Sequence, residues 1–223
     1  QYAKLRDTLI WSKSFTPDPK VYHRLYFKNQ CPVDLIPFGA LEEPSGTIQW
    51  PPDQDIHMNV TGFQNALNDT ILVHLTEQLD VRFVSLPGMI VLKLIAWHDR
   101  HHEYPTKDAS DIAVLLRYYP EAGNHERLYG EHADLIRNTD FDFESAGARM
   151  LGRDMTAIMT AQTRESVLEI LDLYTNPDGN DSLVLAISRF VPDQDYEGSL
   201  HLLQNLKTGI LDQYSNNAGL SPH

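Results

Sequence analysis

The chain carries a single cysteine, Cys31, in 223 residues. An internal disulfide is therefore excluded, and the usage fits a reducing cytoplasm. Cys31 precedes Pro32, which places it in a turn, and no neighbouring base marks it as a nucleophile. Long apolar runs are also missing. The longest, Met89 to Trp97, is interrupted by Lys93 and falls well short of the ~20 residues of a membrane-spanning helix, so no membrane partner is expected. Basic charge is scarce: 18 Lys and Arg stand against 31 Asp and Glu, a formal net charge of −13. Such a balance argues against a broad nucleic-acid-binding surface, but not against a local basic site. It also suits a partner with a basic face. Internal repeats and low-complexity blocks are absent.

What is present is ordinary for a globular chain. Apolar residues make up 42% and charged residues 22%, and the length is enough to bury a core as one large domain or two small ones. Tyr2, Leu5, Leu9 and Ile10 recur near helical spacing, so residues 1–14 read as a helix. Val21–Phe27 is rich in β-formers, and Asn29-Gln30-Cys31-Pro32 turns it back into Val33–Pro37, which predicts an antiparallel pair. Residues 40–58 carry Gly, Pro and Ser and read as an irregular excursion. A short helix is expected at Phe63–Leu67, with strands at Ile71–Leu75 and Val81–Val84. After Pro87 no strand pattern recurs, and helices are predicted over 87–103, 107–119, 144–160, 164–174, 181–190 and 197–214. The fold class is α+β: a mixed-sheet core over residues 1–86, then a helical region over 87–223.

Lys93 is the residue hardest to explain by packing. Met89, Ile90, Leu92, Leu94, Ile95 and Trp97 surround it, so its charge must be paired or bound to something. Lys107, Asp108 and Asp111 open the following helix, with the two acids three apart on one face. Asp108 has a plain alternative, since the helix dipole favours an acid there; Asp111, one turn further in, is more informative. Asp34 interrupts the apolar strand Val33–Ile36, its alternative being an edge acid beside the Pro37–Gly39 turn. A carboxylate on a strand, a lysine on a helix and acids on the next helix suit a site for a metal-bound nucleoside triphosphate. Lys93 could equally be a structural ion pair with Asp108 or Asp111. Arg82, Lys93, Arg100 and Lys107 fall close together, with His98, His101 and His102 among them. His98 and His102 have zinc-compatible i, i+4 spacing, but a polar helix end accounts for them better. Arg149 and Arg153, in the small-residue stretch Ala146–Asp154, read as a salt-bridged surface rather than a nucleotide-facing pair.

These segments resemble the AbiEii-type nucleotidyltransferase-fold proteins, a group that includes toxins of toxin–antitoxin systems. The resemblance rests on Val33-Asp34-Leu35-Ile36-Pro37-Phe38-Gly39, Met58–Phe63, Leu86-Pro87-Gly88 through Arg100, Lys107–Asp111 and Ala146–Asp154, and spans most of residues 1–190. It implies a nucleotidyltransferase-like core and metal-dependent transfer of a nucleoside monophosphate from a nucleoside triphosphate to an RNA or protein acceptor. Asp34 would be one of three carboxylates holding Mg2+ or Mn2+. Lys93 would bind the triphosphate with Lys107 and Asp108 beside it, and Asp111 would orient the lysine or a water. A cytoplasmic bacterial toxin with a cognate antitoxin is the implied setting.

One departure from the pattern matters. The family's first two metal carboxylates come as Asp-x-Asp on a strand after a Gly-Ser turn. Here the chain opens at Gln1 on what reads as the helix after that strand, so the unit is expected upstream. The three Asp-x-Asp present, at Asp53/Asp55, Asp140/Asp142 and Asp193/Asp195, sit in loop or helix-capping contexts. The alternative function is an inactive scaffold or binding protein on the same fold.

Overall fold

The computed structural model describes residues 1–40, 42–43, 46–49, 57–137 and 142–218, with side chains through 212. The chain forms two compact units, Gln1–Val60 and Thr61–His223.

In the first unit, helix α1 (Tyr2–Trp11) is followed by strands β1 (Phe15–Pro17), β2 (Arg24–Phe27) and β3 (Cys31–Asp34), an antiparallel sheet in the order β1-β2-β3. The β2–β3 pair expected from the sequence is present, in the register Leu25 with Val33 and Arg24 with Asp34. Lys28 and Asn29 both take positive φ (48° and 60°), and the Gln30 amide donates to the Phe27 carbonyl. Two positive-φ residues give a hairpin turn whose twist matches its strands. β2 begins later than Val21 because the Asp18 carboxylate accepts from the Lys20 and Val21 amides and holds that stretch in a turn. The strand carrying Asp34, apolar in sequence, is an outer strand: Cys31, Pro32 and Asp34 are exposed and Val33 is half-buried. β4 (Thr47–Gln49) pairs with β5 (His57–Asn59) inside the stretch read as irregular. Ile48 is buried there, but a three-residue strand is too short to show a period.

The second unit begins with α2 (Phe63–Asn68) and a hairpin of β6 (Thr70–Thr76) with β7 (Leu79–Val84). From there every regular element among the described residues is helical. The helices are α3 (Leu86–Arg100), α4 (Lys107–Tyr118), α5 (His125–Tyr129), α6 (Phe143–Ile158), α7 (Ala161–Tyr174), α8 (Ser182–Ser188) and α9 (Tyr196–Ala218). For the six helices expected after Pro87 the observed limits agree closely because caps and breakers punctuate them, while α5 has no counterpart among those expected. Ser85 Oγ accepts from the Gly88 amide at 3.1 Å, with Pro87 in the first turn of α3. Asp142 caps α6 through the Ser145 amide, and Thr160 caps α7 through the Thr163 amide.

The core of this unit is built by Ile90, Val91, Leu94 and Trp97 of α3, Ile112 and Leu116 of α4, Leu151 and Met155 of α6, and Leu203, Leu206 and Ile210 of α9. α6 and α9 cross closely, and the small residues there have a reason. A Cβ on Gly152 would strike the Leu206 carbonyl, and one on Gly209 would strike the Arg149 carbonyl. No helix among the described residues is long and apolar enough to cross a membrane. Small antiparallel sheets followed by packed helices make the chain an α+β protein.

Candidate active site

Lys93 and Arg100 lie seven residues apart on α3, two turns of one helical face. The short link 101–106 returns the chain so that the start of α4 meets that face. Trp97, between the two cations, is 1% exposed and donates its indole N–H to the Pro105 carbonyl at 3.2 Å, which pins the link. Asp108 and Asp111 therefore arrive opposite Lys93 and Arg100.

Asp108 is completely buried. Arg100 grips it with a fork, Nε to Oδ2 at 2.7 Å and Nη2 to Oδ1 at 2.7 Å. Lys93 Nζ reaches Asp108 Oδ1 at 3.2 Å and Asp111 Oδ2 at 2.5 Å. The side chains of Lys93 and Asp111 are 25% and 48% exposed, so the ammonium sits at the boundary between core and solvent. Burial alone would raise the Asp108 carboxyl; the hydrogen bonds and charges of Arg100 and then Lys93 outweigh it and hold the group below the usual carboxylate range. Burial would likewise lower Lys93, but hydrogen bonds to Asp111 and Asp108 raise it above an ordinary lysine. Lys93, Arg100 and Asp108 are thus charged at neutral pH.

The structure brings Lys93, Asp108 and Asp111 together. The helix dipole does not account for Asp108, because a fully buried carboxylate needs paired charges, which it has. Lys107 is exposed at the start of α4 and makes no ion pair among the described residues. Asp34 lies in the other unit, at the end of β3, where Arg24 holds both its oxygens at 2.7 and 2.8 Å. Arg100 stands out in the sequence only as a member of the local basic group with Arg82, Lys93 and Lys107; its pairing with Asp108 is not marked there.

Other candidates resolve into local structure. His101 stacks on Trp97 with centroids 4.4 Å apart, His102 packs on His101, and His98 lies against Tyr174. Arg149 and Arg153 share Asp212 of α9, and Arg153 also grips Asp134, a salt-bridged arrangement. Asp142 is a helix cap, and Asp195 accepts from the Gly198 amide at the start of α9. Asp53, Asp55 and Asp140 lie outside the described residues.

Nucleotidyl transfer generally uses divalent metal ions held by carboxylates. The described residues do not fit such a centre. Among them no group of three or more His, Cys, Asp or Glu could hold a metal, and both oxygens of Asp34 already face a guanidinium fork.

Comparison with known families gives an independent line. Residues 28–176 match the family described as nucleotidyl transferase AbiEii toxin, type IV toxin–antitoxin system. No curated protein and no solved structure matches the chain. The matched range covers well over half of the chain and includes Asp34 and the whole of the Lys93–Arg100–Asp108–Asp111 cluster. With that span of agreement, the chain belongs to the AbiEii nucleotidyl transferase toxin family of type IV toxin–antitoxin systems.

Proposed function

We propose that the protein transfers a nucleoside monophosphate from a nucleoside triphosphate to a hydroxyl on an RNA or protein acceptor, and that Lys93 is the group that meets the triphosphate. In that reaction the acceptor oxygen bonds to the α-phosphorus. The bond from that phosphorus to the oxygen bridging to the β-phosphate breaks, pyrophosphate leaves, and the hydroxyl proton passes to solvent. The observation that carries the reading is the placement of the Lys93 ammonium. It is anchored below by a buried aspartate, and its other partner, Asp111, is half-exposed and can be exchanged for a phosphate oxygen. Lys107, exposed on the adjacent turn, adds a second cation for the phosphates.

Asp111 and Asp108 hold the lysine in place and keep it protonated. The metal-binding role that the family resemblance implies for Asp34 would require Arg24 to yield both its oxygens. The toxin would act in the cytoplasm, where nucleoside triphosphates are made, with an antitoxin as its counterpart.

The rival reading is a binding or scaffold protein on the same fold. It is favoured by the Arg24 fork, which already takes both oxygens of Asp34. Substituting Lys93→Met in the native protein separates the two. Transfer of label from a nucleoside triphosphate marked at the α-phosphate should vanish, and nucleotide binding with it, while the fold persists. Unchanged nucleotide affinity in this variant would remove Lys93 from the site. A wild-type protein that binds nucleotide but transfers no label would favour the scaffold.

A further inference from the structure

We propose that Arg100 is the positioning residue of the Lys93 site: by taking both oxygens of buried Asp108, it frees the lysine from neutralising that charge and leaves the ammonium available to phosphate. This inference rests on the assignment of Lys93 to the triphosphate.

The distances carry it. Asp108 has no exposure, so its charge must be met inside the protein. Arg100 meets it with two bonds of 2.7 Å, one to each oxygen. Lys93 contributes only a 3.2 Å contact to an oxygen already served by Arg100, while its 2.5 Å contact is to Asp111. The ammonium is thus weighted toward the exposed acid and away from the buried one. Without the guanidinium, Lys93 would be the remaining cation on Asp108, and the lower-dielectric interior would pull it inward. A lysine at position 100 could not replace the fork, since an ammonium is a point charge that cannot satisfy both oxygens in one plane. The depressed Asp108 carboxyl agrees with this division of labour, because among the influences that lower it Arg100 comes ahead of Lys93. Arg100 acts through Asp108 and Lys93, not by contact with the reacting atoms.

The test titrates the native protein with each of the four ribonucleoside triphosphates in the presence of magnesium, with thermal melts in parallel. The variants are Lys93→Met, Arg100→Lys, Arg100→Met and the double variant Arg100→Met with Asp108→Asn. Arg100→Lys should stay folded and bind nucleotide about tenfold more weakly, the scale of one lost charge-assisted contact. Arg100→Met should bind at least as weakly. Neutralising Asp108 in the double variant removes the charge that captures Lys93, so affinity should rise several-fold above that of Arg100→Met, yet stay below wild type because the carboxylate that helps anchor the ammonium is gone. A merely structural arginine would not show that recovery.

If Lys93→Met abolishes binding but both Arg100 variants bind like wild type, Arg100 has no positioning role and the assignment of Lys93 stands. If the double variant is as weak as Arg100→Met, the arginine touches the triphosphate itself and the proposal is overturned. If Lys93→Met binds like wild type, the assignment of Lys93 fails and this inference falls with it. Should Arg100→Met not fold, Arg100→Lys and the double variant still decide.

Discussion

Two aspartates, each held by an arginine fork, set the two units of this protein apart. In the first unit Arg24 grips Asp34 at 2.7 and 2.8 Å, with both side chains about one-third exposed. In the second, Arg100 grips Asp108 at 2.7 and 2.7 Å, with the aspartate fully buried. The bond geometry is nearly the same, yet the physical consequence differs. Water can stand in for Arg24, so the first fork contributes little. Among the described residues Lys93 is the other cation that reaches Asp108, so the second fork is coupled to a third charge. The difference comes from where the aspartate sits: at the end of an outer strand in one case, and in the first turn of a helix packed on the core in the other.

The most severe test of that contrast is Arg100→Met. Leaving Asp108 buried with only Lys93 as partner should destabilise the protein by about 3 kcal/mol, the low end for a broken buried pair. Chemical denaturation of the variant against wild type measures it; a loss below about 1 kcal/mol, the range of exposed bridges, would erase the distinction.

A pH series sharpens the same contrast. Because the Asp108 carboxyl is depressed in the folded state, its contribution is present above the ordinary aspartate value of about 3.9 and is lost as pH falls through the lower native value. Asp108→Asn should therefore flatten the acid limb of the stability profile relative to wild type. An acid limb identical to wild type would mean the buried carboxylate is not ionised in the native protein.

Smaller effects are expected at Asp111→Ala. The sequence leaves Asp108 and Asp111 both open as partners of Lys93, and a fully buried pair with Asp111 would make its loss expensive. Since Asp111 is half-exposed and Asp108 remains beneath the lysine, the cost should be about 0.5–1 kcal/mol. A thermal melt and a nucleotide titration together test this, because nucleotide affinity should change more than stability does. Smallest of all is Arg24→Met, expected within about 1 kcal/mol of wild type. A melt as strongly shifted as that of Arg100→Met would show that Asp34 is far less accessible than its exposure implies.

The order and type of most elements are legible in the residues themselves. Ser85 and Pro87 announce the start of α3, Asp142 that of α6, and Val191-Pro192 the break before α9. Strands end before residue 85 because the period-2 alternation stops there. β1 and β4–β5 are not legible in this way, because three residues cannot display a period and their pairing is set by neighbours distant in sequence. The triphosphate-site candidates Lys93, Asp108 and Asp111 are visible in the sequence, since a lone charge in an apolar helix demands a partner.

The sequence by itself therefore determined the α+β order of elements, the family, and the need for an acid near Lys93. Those follow from local periodicity, capping chemistry and the cost of an unpaired charge, all written in short stretches of chain. Only the tertiary structure decided which acid is buried, that Arg100 rather than Lys93 forks both its oxygens, and that Asp34 stands on an outer strand in a fork with Arg24. Burial and pairing arise from how α4 packs on α3 and how β3 borders β2, and no local pattern encodes the depth at which a side chain comes to rest.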